Sequence, residues 1–184
     1  MGKFSMNYSD EKPIPEWQET QWKIAQFLKK SSFDVWEERM IKNKRVDILA
    51  KRAYRNKIYY IIIEFKHYEK VTSSIEDKFL EQLKDYLIIL IQRELDRKGF
   101  SQISRNYIFI GYLLLSKDYG IYKNRRKNWR KTFSIPDNKD LEYIWNRNLY
   151  LFSSTEDYLR SNLESIGLSF YSQTSLQDFT EKEL

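Results

Sequence analysis

Asp47, Glu64 and Lys66 are the residues whose types and setting suit chemistry. Asp47 stands among aliphatics in Val46-Asp47-Ile48-Leu49, and Glu64-Phe65-Lys66 directly follows the run Tyr59-Tyr60-Ile61-Ile62-Ile63. Carboxylates and ammonium groups are costly in or beside a buried strand unless something pairs with them. Side chains alternate along a strand, so Glu64 and Lys66 share one face with Phe65 on the other. If the two apolar runs pair as a hairpin, the two carboxylates meet at a sheet edge. There each raises the other's pKa unless a cation lies between them. A hard divalent ion suits such a pair, with waters and the Phe65 carbonyl completing its shell. It would make a bound water a better nucleophile, and Lys66 would orient that water and offset phosphate charge. Phosphodiester hydrolysis is the reaction this set serves best. The other reading is a buried Asp–Lys–Glu ion pair that only satisfies itself, and the three residues alone leave both open.

Composition narrows the metal. The 184 residues include no cysteine and a single histidine, which excludes thiolate, Fe–S and multi-histidine zinc sites and leaves oxygen ligands for Mg²⁺ or Mn²⁺. The absence of cysteine fits an intracellular, cytoplasmic protein. Hydrophobic residues make up 41% of the chain, enough for a sizeable core, and its length suits one domain. Mean hydropathy is −0.70 and no apolar run approaches a spanning helix, so no membrane association is expected. The amino terminus carries no apolar stretch of signal-peptide type. A formal charge of +6 is compatible with a nucleic-acid partner without requiring one.

The elements that must hold these residues are legible in order. Pro15 with Glu16 and Glu19 opens a helix whose apolar face is Trp17, Ile24, Phe27 and Leu28 and which ends near Lys29 and Lys30. Phe33 to Glu37 alternates as a short strand, and residues 38–44 read as a polar turn. Strands follow around 45–51 and 58–65, joined by a basic hairpin connection over residues 52–57. The unbroken apolar run of the later strand predicts burial on both faces. Ser73-x-x-Glu76 is a capping box, opening a long helix with apolar residues at spacings of three and four from Ile75 to Leu95 and a stop at Gly99. Residues 106–115 make another buried strand. Beyond Ser116 the pattern weakens: a strand is expected near 150–152 and a short helix capped by Ser154 ending near Gly167, with a polar tail from Ser172 that frays. The expected architecture is α/β, a mixed sheet flanked by helices and begun by a meander. The core spans about 13–116, and residues 117–184 form a carboxy-terminal elaboration of the same domain.

On these elements, Asp47, Glu64-Phe65-Lys66 and Gln82-x-x-x-Tyr86 resemble the core signature of the PD-(D/E)XK nuclease superfamily, which includes restriction endonucleases and archaeal Holliday-junction resolvases. The resemblance covers about residues 15–115. It implies a restriction-endonuclease-like core in which Asp47 and Glu64 bind Mg²⁺, Lys66 assists hydrolysis and Gln82 contacts the site. It also implies a DNA partner, such as branched or mobile-element DNA, and a homodimer. The chain departs from the pattern at Val46, where many members have proline, and at Gln21, where many carry a glutamate on the first helix. Glu16 and Glu19 lie near that position but also suit the helix dipole, and Glu37 is an alternative source of the missing carboxylate. His67 follows the motif directly. Arg125, Arg126, Lys127, Arg130 and Lys131, with Tyr122 and Trp129 beside them, form the most basic window and with residues 52–57 would flank DNA.

The expectation is a metal-dependent deoxyribonuclease, structure-directed in repair, recombination or a mobile element. The alternatives are a nucleic-acid-binding protein of the same fold without cleavage and an interaction module whose charge cluster is structural. No P-loop, GxGxxG or GxSxG motif occurs, so neither nucleotide-driven nor serine-hydrolase chemistry is indicated.

Overall fold

The computed structural model describes residues 16–67, 72–116 and 135–170. Its strands are β1 (Asp34–Ile41), β2 (Lys44–Tyr54), β3 (Lys57–Lys66), β4 (Tyr107–Leu115) and β5 (Leu149–Ser154), arranged in that order in one sheet. β1, β2 and β3 form an antiparallel meander, while β4 and β5 run parallel to β3. The helices are α1 (Glu16–Lys30), α2 (Ser73–Lys98), α3 (Phe100–Asn106), α4 (Lys139–Arg147) and α5 (Leu159–Glu164), with a 3₁₀ turn at Glu156–Tyr158. The molecule is therefore α/β, a five-stranded mixed sheet flanked by helices.

β3 explains why the sheet needs two helical layers. Tyr60 and Ile62 pack with Leu83, Leu87 and Leu90 of α2 and with Ile103, Ile144 and Trp145 of α3 and α4. Tyr59, Ile61 and Ile63 pack on the other side with Ile24, Phe27 and Leu28 of α1 and with Leu159 and Leu163 of α5. An apolar strand with both faces covered is what its continuous aliphatic run requires. At the next strand Gly111 lets layers approach: a Cβ there would lie 2.6 Å from Leu151 Cδ1 and 2.7 Å from Leu87 Cδ1.

Several boundaries differ from expectation, each for a local reason. β1 runs on to Ile41 through residues taken as a turn, because an edge strand tolerates exposed Glu37, Glu38, Arg39 and Met40 on its open side. The β2–β3 connection is only Arg55-Asn56, both at positive φ (47° and 63°), the backbone of a tight two-residue hairpin turn. α2 is capped by Thr72, whose hydroxyl accepts from the Ile75 amide at 3.4 Å, one residue before the expected Ser73. α3 follows Gly99 immediately, so the strand expected from 106 begins at Tyr107. α4 was not expected; Asn138 caps it through the Leu141 amide at 3.0 Å, and Leu141, Ile144 and Trp145 form its buried face. Ser154 caps nothing and bonds instead to the buried Tyr112 hydroxyl. Pro15, the basic window with Tyr122, Arg125 and Trp129, and the tail from Ser172 lie outside the described residues.

Candidate active site

The antiparallel register of β2 and β3 closes at Ile48 opposite Ile63. One step further, Asp47 and Glu64 stand across from each other, and their side chains replace the ladder. Asp47 Oδ2 accepts from the Phe65 amide at 2.8 Å, and Glu64 Oε1 accepts from the Asp47 amide at 3.3 Å. Each carboxylate thus satisfies a backbone donor of the opposing strand where the two chains part. Glu64 and Lys66 fall on the α2 face, in phase with Tyr60 and Ile62, and Lys66 Nζ lies 3.5 Å from Glu64 Oε2. The Lys66 ammonium also sits 5.0 Å over the ring of Phe79 from α2, which fixes its reach.

This packing is electrostatically loaded. Glu64 is 2% exposed. Burial, then the charge of Asp47, push its carboxyl up to about 7, against the opposing pull of Lys66 and of the Asp47 amide. Asp47 is also raised, chiefly by burial, although the Phe65 amide and Lys66 pull the other way. Among the described residues Lys66 is the one cation within ion-pair distance of Glu64. Glu64 is buried and Asp47 half-buried, and the two carboxylates face each other with Lys66 beside Glu64 and the Arg45 charge acting on Asp47. Among the described residues the Phe65 amide engages Asp47 Oδ2, and Glu64 Oε2 has the long Lys66 contact. The donor set therefore fits a hard cation. Among the described residues no group of three or more histidine, cysteine or carboxylate side chains is arranged to hold a metal.

The structure brings Asp47, Glu64 and Lys66 together and sets Gln82 one step back. Gln82 Nε2 donates to the Tyr86 hydroxyl at 2.6 Å rather than to either carboxylate. Tyr86 in turn feels the charges of Glu64 and Asp47, with burial the main cause of its raised pKa. The contact Phe65 makes here is through its amide. Gln21 reaches the site from α1: it is buried, and its Nε2 donates to the Asp47 carbonyl at 3.4 Å and to Glu38 Oε1 at 3.5 Å. Glu19 and Glu37 do not face the pair; they bond Lys23 at 2.6 Å and Lys29 at 3.1 Å.

The carboxylate nearest Asp47 from β1 is Glu38, which sequence reasoning missed. Its charge bears on Asp47, and its other oxygen holds Arg45 Nε at 2.9 Å. Glu38 has φ of 52°, a left-handed residue inside a strand, so alternation could not reveal its direction. The connection over residues 52–57 lies at the opposite end of the sheet, about 23 Å from Glu64 at ~3.3 Å per residue along β3. Its arginines are engaged there: Arg52 and Arg55 lie over Tyr54, and Arg52 donates to the Ser169 carbonyl at 3.0 Å. His67 is exposed at the rim of a cleft beside Lys66.

No known family model matches the chain, and no curated protein is similar to it. Among the described residues no helix is long and apolar enough to cross a membrane.

Proposed function

We propose that the protein is a metal-dependent nuclease that hydrolyses DNA phosphodiester bonds at the Asp47–Glu64–Lys66 centre. The observation that carries this reading is the facing carboxylate pair, Glu64 buried and Asp47 half-buried, at the point where β2 and β3 part. Burial and Asp47 push the Glu64 carboxyl up to about 7, and among the described residues Lys66 is the cation within ion-pair distance of it, a loading that supports a working site over a self-satisfied ion pair. On this reading Asp47 and Glu64 hold Mg²⁺ or Mn²⁺, and the core is of the restriction-endonuclease-like type. When bound, the ion supplies Lewis-acid stabilisation of the phosphodiester's charge and a lower pKa for the attacking water.

The remaining work falls to the chain. Glu64 and the Phe79 ring hold Lys66 in place to hydrogen-bond the phosphate oxygen on which charge grows as the water oxygen bonds to phosphorus and the leaving oxygen departs. The amides of Phe65 and Asp47 fix the carboxylates, so they need not reorganise during the reaction. Gln82 holds the Tyr86 hydroxyl beside them, a positioning role. The neutral Gln21, where a carboxylate would strengthen cation binding, is the feature that favours a DNA-binding protein without cleavage as the second reading.

Plasmid nicking with Mg²⁺ by wild type, Glu64→Ala and Lys66→Ala separates the two. The nuclease reading expects nicking by wild type alone. Equal nicking by all three refutes the assignment, and salt-dependent DNA binding without nicking selects the second reading.

A further inference from the structure

A cleft of about 250 Å³ opens at the carboxyl-terminal ends of the three parallel strands. β3 contributes Phe65, Lys66 and the following His67, β4 its last residues and Ser116, and the turn after β5 the stretch Thr155 to Tyr158. The first turns of α1 close it. Strand carboxyl ends are where open α/β sheets take ligands. Lys66 belongs to both this cleft and the carboxylate pair, so a ligand in one adjoins the other.

The lining is of two kinds. Trp17 and Tyr158 are 39% and 42% exposed, two of the four large hydrophobic side chains left exposed among the described residues, and both flank the cleft. Beside them lie Glu16, Glu156 and Asp157. Glu156 Oε2 is buried and has no hydrogen-bond partner among the described residues, and burial raises the group's pKa, with Asp157, Glu19 and Glu16 adding to the effect. An acidic pole rejects phosphate but accepts N–H groups, and exposed aromatic rings accept a flat π face. A simple cation would satisfy the carboxylates but would leave the two exposed aromatic rings without a role. A nucleotide base uses both kinds of wall, ring against Trp17 or Tyr158 and amino group at the acidic pole, while its phosphate lies outside the cleft at the neighbouring Lys66 ammonium on the α2 side. The volume suits one base rather than a larger ligand.

We propose that this cleft receives a single unstacked nucleobase, one bearing an exocyclic amine, from the nucleotide next to the phosphate held at Lys66. The proposal rests on the nuclease reading and sharpens it: the substrate is DNA with an unpaired base at the cleavage point, because a paired base cannot enter a cleft of this size without leaving its stack.

The test is binding of fluorescently labelled oligo-dC, oligo-dT and a matched duplex, followed by anisotropy with all divalent metal chelated, so that the readout does not depend on cleavage. Wild type is expected to bind oligo-dC more tightly than oligo-dT. Trp17→Ala and Tyr158→Ala should each weaken single-strand binding at least about fivefold, the loss of one base–aromatic stack, and leave duplex binding unchanged. Both side chains are exposed, so the variants should fold, and thermal melts of each confirm it. Single-strand binding by both variants equal to wild type overturns the proposal, as does wild type binding no single strand. Nicking that requires Mg²⁺ and Glu64 but single-strand binding indifferent to Trp17 and Tyr158 removes the base pocket alone. The expected binding losses without any nicking remove the nuclease reading and keep the pocket.

Discussion

Replacing Glu64 by glutamine in the metal-free protein should stabilise it as pH rises. The glutamate is 2% exposed and its carboxyl is pushed up from 4.5 to about 7, first by burial and then by Asp47. Between those values the folded chain keeps a proton that the unfolded chain has lost, so the folded state binds more protons and stability falls as pH climbs through the window. At ~1.36 kcal/mol per pKa unit the full span amounts to at most about 3 kcal/mol, since the ionisation of Asp47 is part of the cause. For a chain of this length, about 2–4 °C per kcal/mol makes that ~6–12 °C in Tm. The assay is thermal unfolding followed by circular dichroism in chelator, at steps from pH 5 to pH 8, for wild type and Glu64→Gln. The variant should gain on wild type as pH rises, by up to that amount. At pH 8, excess Mg²⁺ should then stabilise wild type and leave the variant unmoved. A difference between the two proteins that stays constant across the range refutes the reasoning, because it removes the loaded carboxylate from the site. Equal stabilisation of both by Mg²⁺ moves the ion elsewhere.

Lys66→Ala should lower the nicking rate about 10²–10³-fold and weaken DNA affinity, measured by gel shift, by a smaller factor, since its donor holds the phosphate and acts most on charge that develops in the transition state. Gly111→Ala should cost about 1–3 kcal/mol in urea unfolding, because the new methyl meets Leu151 and Leu87 side chains inside 3 Å. Gln21→Glu should destabilise the metal-free protein by about 1–3 kcal/mol at neutral pH, read in the same urea titration. It replaces the amide that serves Asp47 O and Glu38 with an acceptor facing acceptors.

The sheet's centre was legible because its signals are strong and local. Tyr59 to Ile63 is apolar at every position, which only a doubly covered strand explains, and Ile75 to Leu95 keeps a helical period over many turns. The pairing of Asp47 with Glu64 followed from assuming a hairpin, and the observed register brings the two face to face. What composition and period could not give was backbone direction at single residues. Glu38 turns toward Asp47 because its φ is positive, whereas the residue singled out beforehand, Glu37, alternates outward to Lys29. α4 was readable in principle from Asn138 with Leu141, Ile144 and Trp145, but its nine residues were overshadowed by the strand that follows. Gln82 was expected to contact the site, but its amide donates to the Tyr86 hydroxyl one turn on, a local competitor that helical spacing alone does not rank against the carboxylates. The cleft between α1 and the strand ends joins residues far apart in sequence, such as Trp17 and Tyr158, and so left no mark in any local pattern.

The central claim is that Asp47 and Glu64 share a divalent ion beside Lys66. Anomalous scattering from crystals soaked in Mn²⁺ tests it most directly. The account expects a peak between the Asp47 and Glu64 carboxylates in the wild type that vanishes in Glu64→Gln. A crystal with no peak there, its carboxylates still held only by Lys66 and the backbone amides, would contradict it.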